Sequence, residues 1–440
     1  MKFFRNLLGQ EAAKPCYAFG RFSDVYQAEE RLIHWERAIE AHDKKNYLAS
    51  IRHFLTYLTD ELEGNVSFEE PSHDKLRFKV YQGSKCIEGF ANQDGFFAEA
   101  VIARCESLSL GAMRTLLEEN YELRYSAYAL DSDNRLTMVM HTDHQDGSPY
   151  KLYYGLKELA TQADKRDDVL VNTFAELSPV FNGNIQHLGE REKRIKLTYF
   201  RNSIDRALDI YKQAGVSFEK YPGMLSYIML STAFMVDYLL KPEGKTMDHI
   251  EKIFATFFHI NTLTPQRKNA AIYQELMSMS EVTDGALLEE LYDTKHTFGR
   301  LEAAAHIKLQ EVAEQELVHF DWYAQSDLSQ YAVYIPRYVC SLLLFGYALP
   351  ITDHRLLQIL ARVLENDFFM SLGYNSLVKH DGMVDEKKIM PLLENILKAS
   401  PFQKVTPKQF SHLLDYQDKA HFGNSYLRAV SKLDYKNFTL

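Results

Sequence analysis

Two pairs of side chains in the second half of the chain have metal-ligand spacing. Glu302 and His306 stand four residues apart and Glu316 and His319 three apart. On a helix spanning about 300–322, each pair would share a face. Di-iron bundles hold their metals with two Glu-x-x-His motifs and two further carboxylates. Here Glu316-Leu317-Val318-His319 is one such motif, and no convincing second accompanies it. The chemistry these four residues would support is that of a metal-dependent enzyme, a hydrolase with its site in the helical half. An exposed helix face rich in acids and histidines is the plainer account. His141, Asp143 and His144 form a second candidate cluster, in a polar stretch where such residues are common turn formers.

Other chemistries leave fewer traces. No Walker-type phosphate loop, Gly-x-Ser-x-Gly elbow or His-Glu-x-x-His zinc helix occurs. The four cysteines, Cys16, Cys86, Cys105 and Cys340, include no pair at the two-residue spacing of zinc or redox motifs. Cys86 and Cys105 fall in expected strands and read as a reduced, buried pair in a cytoplasmic protein. Phe257-Phe258 and Phe368-Phe369 read as core. Tyr331, Tyr334, Tyr338 and Tyr347, along a helical region broken at Pro336, would suit a groove, but packing is the simpler reading. No cofactor is expected.

The chain around these residues has 440 positions, enough for two or three domains. At 46% hydrophobic and 25% charged it has an ordinary globular composition, with 27 Tyr and 27 Phe against 2 Trp, so its packing must be strongly aromatic. The net charge of −10 argues against nucleic acid, whose phosphates call for a basic excess. The charge clusters Glu190–Arg194 and 164–168 mix both signs, as solvated helix surface does. The first nine residues read as a short amphipathic lead-in rather than a targeting peptide, since Arg5 and Asn6 interrupt their apolar run. Met224–Leu240 is the most membrane-like stretch, yet it contains Ser226, Ser231, Thr232 and Asp237. It also falls short of the ~20 apolar residues that cross a bilayer, so a buried core helix is expected.

Two periodicities divide the chain. Ala28, Leu32, Trp35 and Ile39, then Tyr47, Ile51, Phe54, Leu58 and Leu62, mark a helical hairpin turning at Asp43-Lys44-Lys45-Asn46. No second copy follows at a repeat spacing. From residue 65 the period becomes two, with strands predicted at 76–81, 87–91 and 96–104. A helix capped by Ser109 follows, with Leu110, Met113 and Leu117 on one face and a stop near Asn120. Two strands then flank Asp131-Ser132-Asp133-Asn134, with Tyr125 pointing inward and Tyr128 outward. A polar loop over His141–Pro149 leads into a long helix from Lys151 to about Ser178.

The segment Ile87–Met140 resembles the type III secretion chaperone and YbjN-like family, the wider likeness running over about 46–178. It is carried by Leu116-Leu117-Glu118-Glu119-Asn120, which runs into the hairpin Arg124–Met138 with its Asp-rich turn. The resemblance implies a small α/β domain without catalytic residues that binds segments of other proteins, often as a homodimer. Projected onto this chain, the dimer contact includes Leu110, Met113, Arg114 and Leu117. Such chaperones are usually small and free-standing, whereas here a long helical extension follows.

Residues 185–440 return to helical spacing: Leu197, Phe200, Ile204, Leu208 and Tyr211 form a stripe ending at Gly215. Helix starts are expected at Thr246, Thr264-Pro265, Thr283-Asp284, Thr352-Asp353, Asp385 and Thr406-Pro407, giving about ten helices. The boundary is expected between Ser178-Pro179 and Gly189, around Asn182-Gly183. The expectation is an α+β chain: a lead-in over 1–26, a secretion-chaperone-like α/β domain over 27–180 and an all-α domain over 190–440. The expected function is non-enzymatic binding of a protein or peptide client, chaperone-like or adaptor, by strand addition at a sheet edge or in a helix-lined groove. The binding residues expected are Leu110, Met113, Arg114, Leu117 and Tyr128. A metal-dependent enzyme and a structural scaffold are the alternatives.

Overall fold

The computed structural model describes residues 17–26, 29–61, 63–105, 107, 109–180, 185–213, 218, 220–260, 262–398 and 406–434. The lead-in 1–16 with Cys16, and Ala28, Leu62, Asn182, Gly183 and Gly215, lie outside them. The fold is α+β, an antiparallel sheet in the N-terminal half and mostly helices in the C-terminal half. Two compact units divide the chain: Phe22–His187 with Asp293–Arg300, and Leu188–Tyr292 with Leu301–Leu440 and the residues up to Arg21. The lead-in is therefore shared, and residues 293–300, read from sequence as part of the helical half, join the sheet unit.

In the sheet unit, α1 (Glu29–Asp43) and α2 (Tyr47–Leu58) form the hairpin, with Lys45 in the left-handed conformation at its turn. The buried positions of α1 centre on Ala38, whose carbonyl accepts from Ser50 Oγ at 2.7 Å, and Leu32 is exposed. A side chain no larger than Ala admits that close approach. Four strands follow rather than three: β1 (Val66–Ser72), β2 (Lys75–Gln82), β3 (Lys85–Ala91) and β4 (Phe96–Cys105). The unexpected β1 is an edge strand whose Glu69, Glu70 and Pro71 blur the alternation. After α3 (Leu110–Glu122) come β5 (Ala127–Leu130), β6 (Arg135–Thr142), α4 (Pro149–Thr173) and the short β7 (Leu177–Pro179).

The strand order is β1-β2-β3-β4-β6-β5, with β7 pairing the end of β4. Register places Val80, Ile87, Ala100, Met138 and Tyr128 in one row across the sheet. Val80, Ile87, Ala100 and Met138 are buried, while Arg77, Lys79, Glu88 and Phe90 on the opposite face are exposed. This row turns Tyr128 toward the core side and corrects its expected outward direction. Tyr125, expected inward, is exposed just ahead of β5.

The helical unit opens with α5 (Glu190–Lys212), whose Phe200, Ile204 and Leu208 are buried as the spacing predicts. Then come α6 (Pro222–Leu240), α7 (Gly244–Phe258), α8 (Pro265–Glu281), α9 (Asp284–Glu289), α10 (His306–Leu317) and α11 (Phe320–Ala324). The series ends with α12 (Tyr334–Gly346), α13 (Ile351–Leu364), α14 (Asn366–Ser371), α15 (Glu386–Lys398), α16 (Pro407–Ser411) and α17 (Lys419–Ser431). Thr264, Thr283 and Thr406 cap α8, α9 and α16 by accepting backbone N–H bonds. Thr246, Thr352 and Asp353 are not caps: α7 and α13 begin two residues or one residue earlier, and all three side chains are buried in the first turns.

The apolar helix α6 is the centre of this unit, and every residue of Met224–Leu240 is buried. Its polar side chains have partners inside the unit. Ser226 Oγ lies 2.7 Å from Asn269 Oδ1, Ser231 and Thr232 receive bonds from Arg337, and Asp237 pairs with Arg21. A helix packed on all faces needs apolar residues all round, and its few polar groups need partners. That accounts for its membrane-like composition.

Candidate functional site

The α3 helix is held to the sheet by few apolar contacts and several polar ones. Ser109 Oγ accepts from Ala112 N at 3.1 Å, and Glu176 accepts from Ser109 N. Ala112 and Leu116 are the buried residues of α3. Tyr128 Oη donates to Glu119 at 2.8 Å, and burial, with Glu119 beside it, drives the phenol well above its usual range. Arg166 lies 3.3 Å from the same carboxylate.

Asn120 has a different role from the expected helix stop. The helix runs on to Glu122, and Asn120 is not left-handed. Its side-chain amide accepts from Tyr128 N at 2.7 Å and donates to Tyr128 O at 3.4 Å. It thus covers both main-chain groups of one residue on β5, the outermost strand. This is how an edge strand is kept from pairing with a further strand. Strand addition at this position is therefore blocked while Asn120 stays in place. Replacing Asn120 by Ala should cost about 1–3 kcal/mol, because two main-chain groups lose their partner. Hydrogen exchange at the Tyr128 amide, faster in the variant, would check it.

The face of α3 turned from the sheet is apolar. Leu110, Met113, Leu117 and Tyr121 are 83%, 41%, 69% and 88% exposed, at three- and four-residue steps along one stripe. Arg114 and Glu118 flank it and are bonded to each other at 2.8 Å. Of the five expected binding residues, Leu110, Met113, Arg114 and Leu117 share this exposed surface, whereas Tyr128 is half-buried beneath the helix. Tyr121 extends the stripe and was not singled out from the sequence, although its spacing from Leu117 continues the same face.

The candidate metal residues are not brought together. Glu302 lies in a two-residue strand paired with Tyr347–Ala348, so no single helix spans 300–322. His306 opens α10 with its Nδ1 3.0 Å from Asp353, Glu316 accepts from Tyr227 Oη, and His319 is exposed. His141 is exposed on β6, and His144 Nε2 is bonded to Asn92 O. Among the described residues, no three His, Cys, Asp or Glu side chains converge on a metal position.

Nor do the other candidates gather into a site. Gly244-Lys245-Thr246, a Gly-Lys-Thr not singled out from the sequence, opens α7; its Lys245 and Thr246 amides donate to the Glu290 carboxylate, and Leu239 stands where a phosphate loop begins with Gly. Cys86 and Cys105 are free and not paired: the β3–β4 ladder runs from Ile87–Ala100 to Ala91–Phe96, so Cys105 lies beyond it. Burial pushes the Cys86 thiol up to about 11, which leaves it protonated and weakly nucleophilic at neutral pH. Tyr338 is buried against Tyr227, and Tyr331 packs on Phe218. No protein-family model, curated protein or solved structure matches the chain.

Proposed function

We propose that this chain is a non-enzymatic protein-binding protein, and that its α3 stripe binds a second copy of itself. The observation that carries the reading is the exposed row Leu110, Met113, Leu117 and Tyr121. Large apolar groups left in water along one helix face mark interaction surfaces. The choice of occupant follows from the stripe's symmetry. When two α3 helices pair antiparallel about a two-fold axis, Leu110 of one copy meets Tyr121 of the other, and Met113 meets Leu117. Arg114 then meets Glu118, so charge as well as shape is self-complementary. The likeness to secretion chaperones, which often dimerise, agrees with this arrangement.

Light scattering on the full chain tests it. The expected result is a species of twice 51.0 kDa, reduced to 51.0 kDa by Leu117→Asp with unchanged circular dichroism. A wild-type protein that stays monomeric at about 100 μM, a weak-affinity regime, would remove self-association as the role of this face. A fixed complex with one unrelated protein would favour the scaffold reading.

A further inference from the structure

Residues 295–300 are held in the sheet unit in the way a peptide ligand is held. Lys295 O accepts from Gly83 N at 2.9 Å, the one antiparallel bridge the segment makes. Beyond it, side chains read the segment's main chain. Gln82, fully buried, accepts from Thr297 N and Phe298 N at 3.2 and 3.0 Å and donates to Phe298 O at 3.2 Å. Asp24, also buried, accepts from Gly299 N at 2.9 Å while its other oxygen accepts from Tyr153 Oη. The segment is therefore held less by a ladder than by a few placed polar side chains, the kind of group that fixes orientation in a ligand site.

The side chains of the segment are recognised too. The Phe298 ring is buried in the sheet core, edge-on to Tyr153 at 5.6 Å. Thr297 Oγ1 donates to Tyr81 O, and Arg300 Nη2 donates to Asp164 at 2.7 Å. Asp164 also accepts from Ser84 N. Two glycines make the approach feasible. A Cβ on Gly299 would lie 2.9 Å from Ser23 Cα, and one on Gly83, at φ +55°, would lie 1.7 Å from Asp164 Oδ1.

We infer that this groove is a peptide-binding site for an extended segment of the form Thr-Phe-Gly-Arg, that residues 295–300 are its resident ligand, and that a partner segment of the same chemistry exchanges with it. The anchor is aromatic, the following residue must be Gly, and the Arg meets a carboxylate. This site is separate from the α3 face and does not depend on it.

The test uses the full chain. A fluorescein-labelled peptide with the sequence of residues 293–301 is titrated into wild type and into the double variant Phe298→Ser/Arg300→Ser. The variant should bind it saturably, at least about 100-fold more tightly than wild type, whose own segment competes at high effective concentration. Adding Gln82→Ala should abolish that binding. A folded variant that binds no peptide up to about 1 mM would overturn the proposal, since the segment would then be a fixed part of the fold. Hydrogen exchange on wild type decides independently of the variant's folding. Exchange of the Gly83, Thr297, Phe298 and Gly299 amides ahead of the β2–β3 ladder supports the proposal, and exchange only together with that ladder overturns it.

Discussion

Glu365→Ala should destabilise the protein by about 3–5 kcal/mol, the usual cost of leaving a buried charge without its partner. Arg337 sits within the helical unit, its Nε 2.6 Å from Glu365 Oε1 and its Nη1 3.1 and 3.2 Å from Ser231 and Thr232. Its Nη2 reaches Tyr199 at 3.2 Å. One guanidinium therefore links α5, α6, α12 and the end of α13. Removal of the carboxylate leaves the largely buried cation with only neutral hydroxyl partners. The double variant Arg337→Met/Glu365→Leu should recover most of the loss, because it removes both desolvation costs together. Urea denaturation of the three proteins checks this. A Glu365→Ala midpoint equal to that of wild type would mean that the pair contributes nothing.

The second large effect depends on pH. His354 packs near the Tyr238 ring and the backbone at Gly20. Burial, with a smaller contribution from Arg355, lowers its pKa from 6.5 to about 4. Between those values the unfolded chain takes up a proton that the folded chain refuses. Stability is therefore complete above pH 6.5 and declines as pH falls toward 4. Between pH 7.5 and 5 the loss from this residue is about 2 kcal/mol. His354→Gln keeps a similar volume without the titration, so its stability should change less over that interval. Denaturation midpoints for both proteins at the two pH values give the comparison, and parallel declines would show that other groups carry the dependence.

Much of the α3 face was legible in the residues. Ser109 as cap and Leu110, Met113 and Leu117 on one side follow from local spacing, because a helix fixes which side chains share a face whatever surrounds it. What spacing does not reveal is which side of an amphipathic helix meets the core. Only the packed structure shows Ala112 and Leu116 turned inward and Leu110, Met113, Leu117 and Tyr121 turned out. Asn120 shows the same limit. Its type fits a helix stop, but its place opposite Tyr128 comes from the hairpin folding back.

By itself the sequence determined the change from period two to helical spacing, most strand positions, several helix caps and the α+β class, all of which depend on neighbours a few residues away. The tertiary structure alone decided that His306 and Glu316 meet different partners, Asp353 and Tyr227, while Glu302 and His319 are exposed. It also decided that Tyr128 faces the core and that Lys295–Arg300 lies against Gln82, more than two hundred residues earlier in the chain. Those outcomes rest on strand register and long-range contact, and a local pattern carries no information about either.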